Sequence, residues 1–297
     1  MSTLIVGGNG MIGGYAALHL AAQGHQVTIA GRTAPDERSP LAGFDFEQID
    51  YIANDTPLDV LGHHDIVVFC AGNDPRHNQS MDEARWVEAN TIGVPRFFRS
   101  LRDAGVKTAI NVGSFYPQAA PHLVAGSPYI TSRKAADDGI RAMARPDFRA
   151  ISVNAPFVVG AVPGVRGGLI SALLKYAQGK FGMEEFAIPG GVNFISTRSL
   201  VQAIEGAIER GEGGAAYLVG DENLTFEQYF GAFFEAVGKP IPPVIDQEHP
   251  MLPDSALFHG RGNTLHYEPD PAETEVLAYQ RGDVLTTIRE IAADLLA

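Results

Sequence analysis

The stretch LIVGGNGMIGGY, residues 4–15, sets three apolar residues directly before a segment with five glycines in eight positions. Within it, Gly7, Gly10 and Gly13 follow the spacing GxxGxxG. The first glycine permits a tight turn, the second a close backbone approach to a pyrophosphate, and the third close packing of a helix on a strand. The free amides at the start of that helix then point at the anion. The stretch therefore predicts a strand, a phosphate-binding turn and a helix.

Apolar runs alternate with helical segments through the first half of the chain. After the opening stretch they are QVTIA (26–30), DIVVFCAG (65–72), TAINVGS (108–114) and RAISVNAPFVVG (149–160). Continuous apolar strands separated by helices are typical of a parallel sheet covered on both faces. We therefore predict an α/β fold in which a doubly wound, parallel-sheet Rossmann domain occupies residues 1–160.

The composition of the chain changes after Gly160, where the Gly/Pro-rich passage AVPGVRGG begins. Strand and helix signals within 193–220 predict that this part rejoins the main sheet. The remainder of 161–297 is predicted to form mainly a smaller, C-terminal substrate-binding domain.

Composition narrows the classes of partner. The 297 residues include 22 basic and 35 acidic side chains, for a net charge of −13, and no Lys/Arg-rich run. Nucleic acid and anionic membranes are therefore poor partners, and we expect a small-molecule substrate. The single cysteine, Cys70, excludes an internal disulfide, and no apolar segment is long enough to span a membrane, so we expect a cytoplasmic protein. The nine histidines show no HExxH or paired Cys/His spacing, so we expect no metal site.

The end of the second apolar run indicates which nucleotide is bound. An acidic residue near this point takes the adenosine ribose hydroxyls in NAD-binding proteins. Here the sequence reads IAGRT and has no carboxylate, whereas Arg32 stands 19 residues after Gly13. The planar guanidinium of an arginine suits a 2′-phosphate. The pattern favours NADP(H) over NAD(H).

The chain resembles the short-chain dehydrogenase/reductase superfamily, in particular its extended, NAD(P)-dependent epimerase/dehydratase-like branch. The resemblance covers nearly the whole chain and rests on GGNGMIG (7–13), CAG (70–72), EANTIGVPRFFRSLRDAGV (88–106), NVGSFYP (111–117), PYITSRK (128–134) and NAPFVVG (154–160). It implies that the pyrophosphate is lined by Gly7, Gly10, Met11, Ile12 and Gly13, and that the adenine lies near Asp50. It implies that the adenosine ribose lies over Ala71 and Gly72 and that the helix behind the active site contains Asn90. The nicotinamide would be flanked by Pro156 and Val158.

The resemblance also implies the catalytic pair. Ser114 and Tyr129 match the family's serine at the end of the fifth strand and its tyrosine at the start of the next helix. The tyrosine would deliver a proton to a carbonyl oxygen while the cofactor delivers a hydride, and the serine would hydrogen-bond the same oxygen. Because a free tyrosine has a pKa of about 10, it needs a nearby cation to act near neutral pH.

The family supplies that cation as a lysine four residues after the tyrosine, and here the pattern departs from it. Position 133 is arginine and the lysine is Lys134. At ~100° per helical residue, Arg133 lies ~40° from Tyr129 and Lys134 ~140°. Position on the helix favours Arg133 as the cation beside Tyr129. The chemistry of a proton relay favours Lys134, since an arginine cannot release a proton.

The substrate is expected to contact the C-terminal half. FGMEEFAIPGGVNF (181–194) and HPMLPDSALFHG (249–260) offer apolar side chains with few charges. The resemblance implies that five residues face the substrate: Tyr116, Phe157, Met183, Asn193 and Phe194. A mostly apolar pocket suits a ketone or aldehyde on an apolar or aromatic body. A nucleotide-sugar would need cations for its diphosphate, for which Arg166, Arg198 and Arg261 are candidates.

Three functions follow from these observations. The first is an NADP(H)-dependent oxidoreductase that interconverts a carbonyl and an alcohol, with Tyr129 as acid/base. The second is a nucleotide-sugar epimerase or dehydratase, which the missing carboxylate after the second strand disfavours. The third is a non-catalytic NADP(H)-sensing protein, which the change at position 133 favours and the intact Ser114–Tyr129 pair disfavours. Homodimers are common in the resembled family, so a homodimer is a further expectation.

Overall fold

The computed structural model describes residues 1–53, 55–72, 82–165 and 167–296. Its strands are β1 Ser2–Val6, β2 Gln26–Gly31, β3 Asp45–Gln48, β4 Ile66–Phe69, β5 Thr108–Ser114, β6 Arg149–Ala155, β7 Phe157–Val159, β8 Gly191–Ser196, β9 Ala216–Leu218, β10 Glu222–Thr225 and β11 Thr264–Leu265. Its helices are α1 Met11–Ala22, α2 Leu58–Gly62, α3 Glu83–Glu88, α4 Val94–Asp103, α5 Tyr116–Ala119, α6 Pro128–Arg141, α7 Gly168–Ala177, α8 Thr197–Arg210, α9 Phe226–Ala236, α10 Pro271–Leu277 and α11 Val284–Leu296. No helix among the described residues has the length and apolar character needed to cross a membrane.

Seven strands form one parallel sheet in the order β3-β2-β1-β4-β5-β6-β9. The order reverses direction between β1 and β4, which is the mark of a doubly wound sheet. The predicted parallel-sheet Rossmann fold is therefore confirmed.

Alternate residues of β1 supply both faces of this sheet with core. Ile5 packs with α1 and α8 on one face, whereas Leu4 and Val6 pack with α4 and α6 on the other. Side chains of a strand point to opposite faces in turn, so a continuous apolar run is what a sheet covered on both sides requires.

A second, smaller sheet is built on β8, which pairs with β7, β10 and β11. The segment 193–220, expected to rejoin the main sheet, divides between the two sheets. Helix α8 packs against α1, and β9 pairs with β6 of the main sheet. Residues 193–196 instead belong to β8, because Asn193 and Phe194 pair with β10 in antiparallel register.

The segment 249–263, which we call the covering segment, begins at a completely buried histidine. The Nδ1 atom of His249 accepts a hydrogen bond from the Met251 amide (3.0 Å), so this nitrogen carries no proton. The protonated Nε2 then donates to the Phe186 carbonyl (3.1 Å). Burial lowers the pKa of His249 to about 4. The fold therefore holds this ring neutral.

Acid is expected to destabilise the protein through His249. Its pKa is about 4 in the folded state and about 6.5 in an unfolded chain, so only the unfolded state gains its proton between these values. The stability contributed by the neutral ring is complete above pH 6.5 and falls as pH falls toward 4. The free energy of unfolding, measured by urea denaturation across this range, should fall less steeply for His249→Gln, which does not titrate. Equal slopes for the two proteins would contradict the prediction.

Candidate active site

The turn between β1 and α1 excludes side chains at two of its glycines. Gly7 has a φ of +83°, and a Cβ there would lie 3.0 Å from the Ala71 amide nitrogen. A Cβ on Gly13 would lie 2.3 Å from the Gly7 carbonyl oxygen. Helix α1 has neither a side-chain cap nor an acidic residue in its first turn, so no side chain among the described residues satisfies its first amides. Uncapped amides at a glycine turn form a site for a phosphate group.

A cavity of about 320 Å³ lies beside this turn, at the carboxyl ends of the strands. Ligands bind to doubly wound sheets at this edge, where the strand order reverses. The cavity brings together six of the residues expected to contact the cofactor: Gly7, Gly10, Arg32, Asp50, Ala71 and Gly72. Met11, Ile12 and Gly13 follow directly in the first turn of α1. A cradle that excludes Cβ atoms and an adjoining cleft fit a dinucleotide.

Arg32 stands at the rim of this cavity and is exposed, and its guanidinium makes no hydrogen bond or ion pair within the described part of the chain. The backbone around it is fixed, because Gln48 Nε2 donates to the Arg32 carbonyl (3.3 Å) and Asn9 Nδ2 donates to the Thr33 carbonyl (2.6 Å). Among the described lining residues, Asp50 supplies the one carboxylate, and this group accepts a hydrogen bond from an amide of its own loop. The rim therefore presents a free cation where the adenosine ribose is expected.

Arg96 on α4 is a site residue that sequence reasoning missed. Its Nη2 donates to the Ile52 carbonyl in the cavity lining, and its Nε is buried without a hydrogen-bond partner among the described residues. Arg96 fixes the loop that carries Asp50. The sequence signal that could have identified Arg96 is its position between the buried Val94 and Phe97, beside the core face of an amphipathic helix.

The expected catalytic pair lies beyond the cavity, along the same sheet edge. Ser114 is the last residue of β5 and is half-buried. Tyr129 is the second residue of α6, which packs on β5. The Ser127 hydroxyl accepts a hydrogen bond from the Ile130 amide (3.3 Å) and caps this helix, and Pro128 sits in its first turn. These local signals place Tyr129 at the end of α6 nearest the site.

Asn90 lies behind this helix end. It is buried in a π-helical segment, Ala89–Gly93, and its amide donates to the Ser132 hydroxyl (3.3 Å). That hydroxyl in turn donates to the Tyr129 carbonyl (2.8 Å). Asn90 thus supports the first turn of α6. Of the residues expected near the nicotinamide, Pro156 directly follows β6 and Val158 lies in β7.

The structure separates the two cations that follow Tyr129. The Arg133 guanidinium lies 6.0 Å from the centre of the Tyr129 ring, and its Nη2 donates to the Val112 carbonyl (3.0 Å). Its Nη1 lies against Gly72, where an added Cβ would come within 2.5 Å. Lys134 instead pairs with Asp138 (2.5 Å) on a half-exposed face. Arg133 therefore occupies the position between the tyrosine and the cofactor cavity.

Aromatic side chains enclose Tyr129, which is 5% exposed. Phe258 stacks on its ring at 4.5 Å between ring centres and 9° between planes. The ring of Tyr116 meets Phe258 edge-on at 5.5 Å, and the Tyr116 hydroxyl lies 3.1 Å from His259 Nδ1. Burial lowers the pKa of His259. Tyr116 therefore lies in the aromatic surroundings of Tyr129, together with Phe258 and His259, which no sequence pattern singles out.

The structure places the remaining residues expected to face substrate in different surroundings. Phe157 joins this aromatic cluster, where its ring meets the Phe115 ring edge-on at 6.4 Å. Asn193 and Phe194 differ from the expectation, since both are buried and turned to other protein groups. The Asn193 amide hydrogen-bonds Asn223 and the Tyr267 carbonyl, and Phe194 stacks in the C-terminal core. Met183 is 48% exposed and lies in the segment after α7.

The arginines considered for a diphosphate are engaged within the chain. Arg198 pairs with Asp283 (3.0 Å) and with Glu290. Arg261 pairs with Asp254 (2.9 Å) and Asp246. Arg166 lies outside the described residues. Within the described ranges, no three His, Cys, Asp or Glu side chains converge as metal ligands.

Comparison with known proteins agrees with this architecture. UDP-glucose 4-epimerase from Thermotoga maritima has a TM-score of 0.76 at 15% identity, with 100% of each chain covered. The Bordetella bronchiseptica enzyme WbmG, solved with NAD, has a TM-score of 0.71 at 20% identity, with 99% of this chain and 94% of that one covered. At such identities the likeness concerns the fold.

A curated relative is sterol demethylase protein B of Methylococcus capsulatus, 26% identical over 191 residues. The match covers 58% of this chain and 57% of that protein's length. A sequence model of the NAD dependent epimerase/dehydratase family matches residues 3–220, which include the glycine turn, Ser114 and Tyr129. On this match over most of its length, the chain belongs to the NAD-dependent epimerase/dehydratase family.

Proposed function

We propose that this protein is an NADP(H)-dependent oxidoreductase that interconverts a carbonyl and an alcohol on an apolar or aromatic small molecule, with Tyr129 as acid/base. The observation that carries the proposal is the position of Arg133, between the Tyr129 ring and Gly72 in the wall of the cofactor cavity. It links the cofactor cavity to a tyrosine that is enclosed by aromatic side chains.

Different residues of the chain carry different parts of the proposed reaction. The nicotinamide cofactor, when bound, supplies or accepts the hydride. The Tyr129 hydroxyl gives its proton to the carbonyl oxygen during reduction and takes it back during oxidation. Ser114 donates a hydrogen bond to the same oxygen and stabilises the charge that develops there. The fixed charge of Arg133 favours the tyrosinate, but its guanidinium releases no proton, so water must restore the proton that Tyr129 loses.

Two features support the cofactor and the substrate class. Arg32 is a free cation at the cavity rim, and a 2′-phosphate is the cofactor group that such a cation distinguishes. The aromatic rings around Tyr129 suit an apolar substrate body. The curated relative, whose name refers to a sterol, is consistent with such a body. We place the cofactor site in residues 1–160 with α8 and β9, and the substrate site mainly in the rest of 161–297.

A nucleotide-sugar epimerase is the second candidate, because structural neighbours include UDP-sugar epimerases. A diphosphate needs cations, whereas Arg198 and Arg261 are held by carboxylates of the same chain. Titration calorimetry with UDP-glucose in the presence of NAD or NADP distinguishes the two functions. The carbonyl reductase should bind no UDP-glucose, while micromolar binding would favour the epimerase.

Arg32→Ala should abolish discrimination between the two cofactors. Losing a charged hydrogen-bond donor to the 2′-phosphate costs ~1.5–3 kcal/mol, so the Kd for NADPH should rise about 10–100-fold. The Kd for NADH should stay within about twofold, since NADH lacks this phosphate. Fluorescence titration of both cofactors tests this expectation, and Arg38→Ala, an exposed arginine of the same loop paired with Asp36, is the matched control. Equal losses for both cofactors would contradict the assignment.

Tyr129→Phe should lower kcat for ketone reduction by about 10²–10⁴-fold, because the proton donor is removed while the ring is kept. NADPH affinity should be unchanged. Steady-state reduction of acetophenone and benzaldehyde measures the effect, with Tyr229→Phe in the C-terminal core as the control. If Tyr129→Phe leaves the rate intact, this tyrosine is not the acid; if wild type binds NADPH and reduces no carbonyl in a wider panel, the sensing function is favoured.

Arg133→Ala should lower kcat by about 10²-fold or more, and Lys134→Ala should leave it within about twofold, because Lys134 is paired on the surface. In alcohol oxidation, the pH at which the rate of Arg133→Ala rises should move upward, since Tyr129 loses the cation that favours its ionised form. Arg133→Lys should restore part of the rate. A larger loss for Lys134→Ala than for Arg133→Ala would reverse the assignment.

A further inference from the structure

The residues that follow β3 form one wall of the cofactor cavity. Ile49, Asp50, Tyr51 and Ile52 all line it. The Asp50 Oδ1 atom accepts a hydrogen bond from the Ile52 amide (2.9 Å), and its second carboxylate oxygen accepts none within the described part of the chain. Residues 49–52, which we call the cavity loop, therefore carry a carboxylate in the cavity wall with one oxygen uncommitted.

Three contacts hold the cavity loop in place. The Ile49 amide donates a hydrogen bond to a carbonyl at the end of β2 (3.0 Å). The Tyr51 ring meets the buried Phe69 ring of β4 edge-on, with 5.0 Å between ring centres. At the far end of the loop, Arg96 Nη2 on α4 donates to the Ile52 carbonyl. Arg96 is therefore a side chain from outside the loop that fixes where the loop ends.

Ile52 connects Arg96 to Asp50. Its carbonyl accepts from the guanidinium and its amide donates to the carboxylate, so a single residue links the two charged groups. The Nε atom of Arg96 is buried and has no hydrogen-bond partner among the described residues. Burying a charged donor without a partner is costly. The bond to the Ile52 carbonyl is the one hydrogen bond that this guanidinium makes within the described residues, and it compensates for part of that cost.

A dinucleotide in the cavity would meet the cavity loop with its base. The glycine turn suits the pyrophosphate, and Arg32 suits a phosphate on the adenosine ribose. The remaining lining outside the strands consists of the cavity loop and residues 71–72. Because a carboxylate only accepts hydrogen bonds, Asp50 suits the exocyclic amino group of adenine and disfavours a base that has an oxygen at that position.

We propose that Arg96 is a positioning residue for the adenine end of the cofactor, which holds the Asp50 carboxylate at the exocyclic amino group through its bond to Ile52. The inference rests on the proposed function in that a nicotinamide adenine dinucleotide fills the cavity. Loss of Arg96 should weaken recognition of the base. It should not alter the preference for the 2′-phosphate, which falls to Arg32.

NADH and reduced nicotinamide hypoxanthine dinucleotide test this inference, because hypoxanthine has an oxygen where adenine has its exocyclic amino group. The dissociation constant of each is measured from the fluorescence of the reduced nicotinamide, and NADPH is titrated alongside. Arg96→Met and Arg96→Gln remove the charged donor, whereas Arg96→Lys keeps one. Asp50→Ala removes the carboxylate, and Arg99→Met, at an exposed arginine of the same helix, is the matched control.

Wild type and Arg99→Met should bind NADH about tenfold or more tightly than the hypoxanthine analogue. Arg96→Met, Arg96→Gln and Asp50→Ala should each bring this base ratio to within about threefold, and Arg96→Lys should keep part of it. The ratio of the dissociation constants for NADPH and NADH should stay at its wild-type value in every Arg96 variant.

An unchanged base ratio in the folded Arg96→Met and Arg96→Gln variants would overturn the inference, as would a wild type that does not discriminate between the two bases. Equal changes in the base ratio and the phosphate ratio would also overturn it, because they indicate a general loss of structure around the cavity. A wild type that prefers NADH, with the base ratio lost in these variants, would uphold the inference and refute the NADP(H) assignment. A wild type that prefers NADPH, with the base ratio kept in these variants, would do the reverse, and a wild type that binds none of the three nucleotides would overturn both.

Discussion

The close approach of α1 to the preceding turn is the constraint on which the site depends. Gly13 has space only for a hydrogen atom beside the Gly7 carbonyl, so the helix begins immediately above the strand ends. The Gly7 and Gly8 amides both donate to the Ala30 carbonyl at the end of β2 (2.8 and 3.1 Å), which fixes the position of the Arg32 loop. On the other side, Gly7 touches the backbone of Ala71 after β4. One glycine turn thereby aligns three strand ends around the same cavity.

Arg133 shows how the neighbouring backbone accommodates a change of cation. A guanidinium is wider than an ammonium group and carries several donors in one plane. Here one nitrogen bonds the Val112 carbonyl, and another fits against Gly72, a position where any side chain would collide with it. These contacts orient the arginine more firmly than they would orient a lysine. The site therefore has a permanent charge in place of a group that can exchange protons. If Tyr129 is the acid of the proposed reaction, its proton is restored by water and not by this cation.

Local patterns in the sequence were sufficient for the parts of the site that local backbone builds. The glycine spacing, the apolar runs and the cap before Tyr129 lie within a few residues of what they determine, and the parallel sheet followed from them. Helical angle favoured Arg133 while proton chemistry favoured Lys134, and the sequence could not decide between them, because the choice depends on strand ends far away in the chain. Asn193 lies in an apolar stretch like a substrate wall, yet its partners stand 30 and 74 residues later. Phe258 meets Tyr129 across more than a hundred residues, and no periodicity encodes such a contact.

The ion pairs of the C-terminal region bear on which substrate it can hold. Arg198 is paired with Asp283, which is 1% exposed, so withdrawing this arginine would leave a buried carboxylate without its ion-pair partner. Arg261 is different, since its carboxylate partners are exposed and water and salt screen such surface pairs. A diphosphate could therefore draw on Arg261, but Arg261 is also one of the contacts that fix the turn carrying Phe258. Releasing it would remove one of the contacts that fix the turn holding the Phe258 ring on Tyr129. The two arginines are therefore not equivalent, since one is held by a buried carboxylate and the other by exposed carboxylates on the turn that lies over Tyr129.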